Sequence, residues 1–145
     1  MEKIIIISAC LLGENVKYNG LNNYNPLILK LKEKYELIPI CPEVFGGLSI
    51  PRDPSEIKDN KVISSKGLDV TDNFNNGAYK ALKIAKDNNI KIAILKDGSP
   101  SCGSSYIYDG TFNHKKVNGF GITAKLFKDN GIKIYSENEI EELLK

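Results

Sequence analysis

The chain has 145 residues, a formal net charge of +2 and a single histidine. That length suits one domain with a core of its own, and so even a charge balance excludes the clustered basic footprint of a nucleic-acid binder. Hydrophobic residues make up 41% and charged residues 26%, ordinary proportions for a soluble globular protein, and no run approaches the roughly 20 apolar residues of a membrane span.

Residues 3–8, with isoleucine at 4, 5, 6 and 7, predict a first buried strand. The same start ends in Ser8-Ala9-Cys10, the outline of a lipoprotein cleavage site, but its apolar run falls short of the roughly 7–15 residues of a signal sequence. A loop spans 10–23. Residues 26–34, with Leu27 and Leu31, predict a short helix, and 36–40 a second strand. The Pro/Gly-rich segment 41–72 is too long for an idle connection and predicts a functional loop or small extra strands. Asp72 is expected to cap a helix with Phe74, Ala78, Ala81, Leu82 and Ala85 on its apolar face, stopped by Asn88-Asn89. Residues 91–95 predict a third strand, and 104–112 a hairpin turning at Asp109-Gly110. A helix over 122–128 ends at Gly131, and a fourth strand covers 132–135. Ser136 and Glu139 form a capping box for a last helix to Leu144. The alternation predicts an α/β class: one Rossmann-like domain over 1–145, with a parallel sheet of about four strands flanked by helices. A small hairpin and loop region would lie over the C-terminal edge of the strands.

Three cysteines cannot form a fully paired disulfide framework. A reducing, cytoplasmic setting follows, where free cysteines point to metal or catalysis. Cys10 falls just past the first strand, Cys41 immediately past the second and Cys102 in the loop after the third. In a parallel sheet all three gather at one edge, where α/β proteins bind ligands. A free cysteine also packs like a small hydrophobe, but all three here sit in loops beside Gly13, Pro42, Pro100 and Gly103. Zinc prefers a close cysteine pair and four ligands; only His114 is on hand as a fourth. Three thiolates suit a [4Fe–4S] cluster with one iron left open, able to act as a Lewis acid.

Glu43, within Cys41-Pro42-Glu43, places a carboxylate beside such a site for proton transfer. Its alternative is a plain surface glutamate. Ser99 and Ser101 bring two hydroxyls beside Cys102, although Ser-Pro is also a common turn. The run Gly119-Phe120-Gly121-Ile122-Thr123-Ala124 has dinucleotide-fingerprint spacing without a preceding strand. As a helix N-terminus it still offers Gly119 and Gly121 to a phosphate.

Six ordered motifs together resemble the thiouracil desulfidase family: Ser8-Ala9-Cys10-Leu11-Leu12-Gly13; Cys41-Pro42-Glu43 with Gly46-Gly47-Leu48; Pro51-Arg52; Gly67-x-Asp69-Val70-Thr71; Ser99-Pro100-Ser101-Cys102-Gly103; and Ile107-Tyr108-Asp109-Gly110-Thr111-Phe112. The likeness covers nearly the whole chain, without the C-terminal domain that longer members add. It implies a [4Fe–4S] enzyme removing sulfur from small thiolated pyrimidines, either thiouracils or 4-thiouridine 5′-monophosphate. No membrane and no stable nucleic-acid complex are expected. By position, Cys10, Cys41 and Cys102 would be cluster ligands, Glu43 the acid/base, and Ser99 the catalytic serine, with Ser101 as a second hydroxyl. Ser8, Tyr18, Arg52 and Asp69 would be substrate contacts. Lys17 stands where many members have arginine, exchanging a fork for a point charge. Two other readings stay open. A sulfur-transfer component of tRNA thiolation would need ATP and tRNA, yet the chain has no Walker-type motif. A non-enzymatic iron–sulfur or zinc module would release no sulfide.

Overall fold

The computed structural model describes residues 4–145, and Lys3, the expected start of the first strand, lies outside them. Strand β1 (Ile4–Ser8) leads through a 3₁₀ turn (Ala9–Leu12) to helix α1 (Ile28–Lys34) and strand β2 (Glu36–Ile40). A four-residue helix, α2 (Pro42–Phe45), comes next. The antiparallel hairpin of β3 (Ser55–Lys58) and β4 (Lys61–Ser64) precedes the long helix α3 (Thr71–Asp87). Strand β5 (Ile92–Ile94), hairpin strands β6 (Tyr106–Tyr108) and β7 (Lys116–Asn118), helix α4 (Ile122–Asp129), strand β8 (Lys133–Tyr135) and helix α5 (Ile140–Leu144) complete the chain.

Strands β2, β1, β5 and β8 form a parallel sheet in that order. The chain moves one way from β1 to β2 and the other way to β5, so the topological switch point lies between β1 and β5. In such sheets the crevice at the switch point, beyond the strand ends, is the natural ligand site. The isoleucine run of β1 is buried on both faces because helices cover both sides. Ile5 and Ile7 pack with Ile28, Leu31, Ile140 and Leu143 of α1 and α5. Ile6 packs with Ala81, Leu82 and Ala85 of α3 and Ala124 and Phe127 of α4. Pro39, which has no N–H to donate, is tolerated because β2 is an edge strand. Among the described residues no helix is long and apolar enough to cross a membrane.

Three expectations change. Helix α3 starts one residue earlier than Asp72, which sits in its first turn as a dipole-compatible charge; the side chain serving that end is Asp69. The second hairpin does not turn at Asp109-Gly110. Residues 109–115 form a wider loop, with Phe112 and His114 in the left-handed region. The capping box at Ser136 and Glu139 is present, but it opens a 3₁₀ turn ahead of α5.

Candidate functional site

The pairing of Ser8 with Ile40 across β1 and β2 ends both strands level, so Cys10 and Cys41 emerge side by side. Cys41 occupies the N-cap position of α2, with Pro42 in the first turn. Helix α2 is held there by backbone contact with α3. A Cβ on Gly77 would lie 1.8 Å from the Pro42 carbonyl oxygen, so only glycine lets the helices meet. Cys102 arrives from the β5 side, buried against the α3–α4 face of the core.

All three cysteines are free thiols. Burial is the largest influence on each and pushes each thiol up. The Cys102 thiol is raised further by the charges of Cys10, Cys41 and Glu43, and that of Cys10 by Cys41, so the three sulfurs share one locality. Opposing groups are built in. Asn23 Nδ2 donates to Cys10 Sγ at 3.4 Å, and the charges of Lys96 and Lys17 favour the Cys10 thiolate. The start of α2 and Arg52 favour that of Cys41, and the Ser8 hydroxyl favours that of Cys102.

Glu43 projects from the first turn of α2. Arg52 Nε pairs with its Oε1 at 3.1 Å, both side chains being largely buried. Ser99 Oγ donates to its Oε2 at 3.5 Å. Ser99 Oγ also accepts from the backbone N–H of Ser101 and of Cys102, each at 3.0 Å. One hydroxyl therefore joins the carboxylate to the backbone of the third cysteine.

Asp97 orders the loop that delivers Ser99 and Cys102, and the sequence reading missed it. Its side chain is buried, and Oδ1 accepts from the N–H groups of Gly98, Ser104, Ser105 and Tyr106 at 3.0–3.1 Å. Oδ2 accepts from the Ser105 hydroxyl. Burial alone would raise this carboxyl, but these donors hold it below the usual range. The backbone N–H of Asp97 donates to Glu137 Oε1 at 2.9 Å, and Glu137 Oε2 pairs with Lys96 at 2.8 Å. Burial by itself would lower the Lys96 ammonium; Glu137 holds it raised. Lys96 and Glu137, with Asn22, Asn23 and Tyr24, line a cleft of about 500 Å³ beside Leu11. Asp-Gly shortly after a buried strand was the one signal for this hub in the sequence.

Several expected contacts turn out to be spent on the fold. Ser101 is fully buried and its hydroxyl bonds Thr123 Oγ1 at 2.8 Å, fastening the cysteine loop to α4 rather than meeting a ligand. The α4 N-terminus has no N–H left for a phosphate. Gly121 donates to Gly103 O, Ile122 to Pro100 O, and Thr123 and Ala124 both to Ser101 O. Gly121 is glycine because a Cβ would lie 2.4 Å from Ser101 backbone atoms, and the Gly119 N–H donates to Ser105 O. Asp69 is exposed, its carboxylate engaged by the N–H and hydroxyl of Thr71. Arg52, beyond Glu43, donates to Ser49 O and Val16 O, so it braces the site from inside. Ser8 Oγ accepts from Lys96 N at 3.0 Å, tying the ends of β1 and β5 together across the switch point. Lys17 and the exposed Tyr18 lie on the loop after Cys10. His114 is exposed on the β6–β7 loop.

The donor set fits an iron–sulfur cluster better than a lone ion. Among the described residues no three His, Cys, Asp or Glu side chains close around a single metal ion, yet the three thiols converge from three loops. Thiolates alone are the usual ligands of a cubane.

The family model described as 2-thiouracil desulfurase matches residues 5–139. The uncharacterized protein YbbK of Bacillus subtilis (strain 168) is 41% identical over 151 aligned residues, spanning 97% of this chain and 100% of YbbK. The solved structure of the [4Fe-4S]-dependent thiouracil desulfidase TudS superposes with a TM-score of 0.92 at 42% identity, covering 99% of this chain and 95% of TudS.

Proposed function

Because the chain belongs to the 2-thiouracil desulfurase family, we propose that it removes the sulfur of a small thiolated pyrimidine, with Cys10, Cys41 and Cys102 holding one [4Fe–4S] cluster. The substrate is a thiouracil or 4-thiouridine 5′-monophosphate. The reaction is a hydrolysis: thiocarbonyl and water give carbonyl and hydrogen sulfide, with no net change of oxidation state. The observation that carries this reading is the meeting of three unpaired thiols and one braced carboxylate at the sheet's switch point.

When bound, a cluster on three thiolates supplies one iron without a protein ligand, a Lewis acid for the thiocarbonyl sulfur. The protein supplies the proton chemistry. Glu43 accepts a proton from the attacking water at Oε2, the oxygen that faces Ser99, while Arg52 fixes Oε1. Ser99 orients the water or relays the proton, its hydroxyl being held by the N–H groups of Ser101 and Cys102. Lys17, whose charge reaches Cys10, and the exposed Tyr18 are the substrate contacts on that side of the site. The location is cytoplasmic, where thiols stay reduced. The partner is a small molecule rather than a nucleic acid.

The test is sulfide release from thiouracil and from 4-thiouridine 5′-monophosphate by anaerobically reconstituted protein. Sulfide and the desulfurated pyrimidine should appear in equal amounts. Cluster-loaded protein that releases none from either compound would overturn the reading.

A further inference from the structure

Each cysteine sulfur must carry negative charge to hold iron, and each is wholly or partly buried, where that charge is costly. At Cys10 a side chain answers the cost directly. Asn23 Nδ2 donates to the sulfur at 3.4 Å from a half-buried position. The donor is not free to wander. The Asn23 backbone N–H bonds Cys10 O at 2.9 Å, and Asn25 N–H bonds Leu11 O at 3.1 Å, so the segment is laced to the cysteine turn. Asn22 Oδ1 accepts from Tyr24 N–H at 3.0 Å and closes the bend around it. Asn23 also lines the cleft with Lys96.

We propose that Asn23 is a positioning residue for the cluster, donating to the Cys10 thiolate and so setting the cluster's reduction potential and its resistance to oxidation. The inference rests on the cluster reading above. A hydrogen bond to a ligand sulfur stabilises the more negative cluster. It makes an electron easier to accept and harder to lose. Chemistry without net redox needs a cluster that stays in one oxidation state, and a donor opposing electron loss provides that.

The experiment is a redox titration of anaerobically loaded protein, with the decay of its visible absorbance in air as a second readout. Asn23→Leu keeps the volume and removes the donor; Asn23→Asp puts a charged acceptor against the sulfur. Both should move the potential to lower values, Asp further than Leu, and both should bleach faster in air than the unaltered protein. Leu21→Ala, at an exposed side chain of the same loop without sulfur contact, should leave the potential in place. Potentials and bleaching rates equal to the unaltered protein in both Asn23 variants would overturn this inference alone. An unaltered protein that takes up no cluster would overturn the function itself, and this inference with it.

Discussion

Glu43 is held as a working group should be, with one oxygen clamped by a largely buried arginine and the other left to a hydroxyl. Glu43→Gln keeps the shape and removes the base. It should retain full iron while turnover falls by about 10²–10⁴, the usual worth of general acid–base help; turnover within a factor of two of the unaltered protein would remove Glu43 from the chemistry. Arg52 was expected to grip substrate, yet its donors go to Glu43, Ser49 and Val16. Arg52→Lys loses the planar fork that spans those partners. It should lower kcat with little change in KM, whereas a pure KM effect would restore the substrate-contact role. The sequence made the cysteines and Glu43 legible because a loop cysteine beside proline or glycine has few structural excuses. The family resemblance put Ser99 ahead of Ser101, but the residues by themselves did not separate the two. Two hydroxyls beside one proline look alike until α4 supplies Thr123 as a partner for one of them.

At the scale of elements, the site depends on two close approaches and one buried carboxylate. Gly121→Ala would press a methyl into the Ser101 backbone and push α4 off the cysteine loop. A cost of about 1–3 kcal/mol is expected from such overpacking, together with poorer cluster loading, read by thermal unfolding and iron content. Asp97 is the carboxylate. Asp97→Asn keeps an acceptor but loses the charge that five donors address, and should cost about 1–3 kcal/mol at neutral pH. Its folded pKa is depressed, so its stabilisation is fully present above the ordinary aspartate range and is lost as pH falls through the folded value. The gap between the two proteins should therefore narrow on acidification below roughly pH 4. A constant gap across that range would show that the charge is not what the loop uses. Local rules read some elements well. The isoleucine run placed β1, and Ser136 with Glu139 placed the last cap. They missed α2 because four residues carry no period, although proline in its first turn was a signal. They also missed Asp59-Asn60, both in the left-handed region, as the tight turn of the first hairpin.

For the whole molecule, strand order decides where chemistry can happen. No periodicity in the sequence says that β1 lies between β2 and β5, yet that order places Cys10 at the centre with Cys41 on one flank and Cys102 on the other. The strand-end rule needed only parallel strands to bring the cysteines to one edge; the switch point explains why they also face one another. The glycine-rich run before α4 shows the opposite case. Its spacing suggested a phosphate site, but the chain fills that helix end with its own carbonyls, a long-range pairing no local pattern encodes. The most direct test of the shared three-cysteine site is iron and acid-labile sulfide per chain after anaerobic reconstitution, repeated for Cys10→Ala, Cys41→Ala and Cys102→Ala. A brown protein with about four irons per chain, lost in each single variant, is the predicted result. A colourless protein holding stoichiometric zinc, or full iron in any one variant, would contradict it.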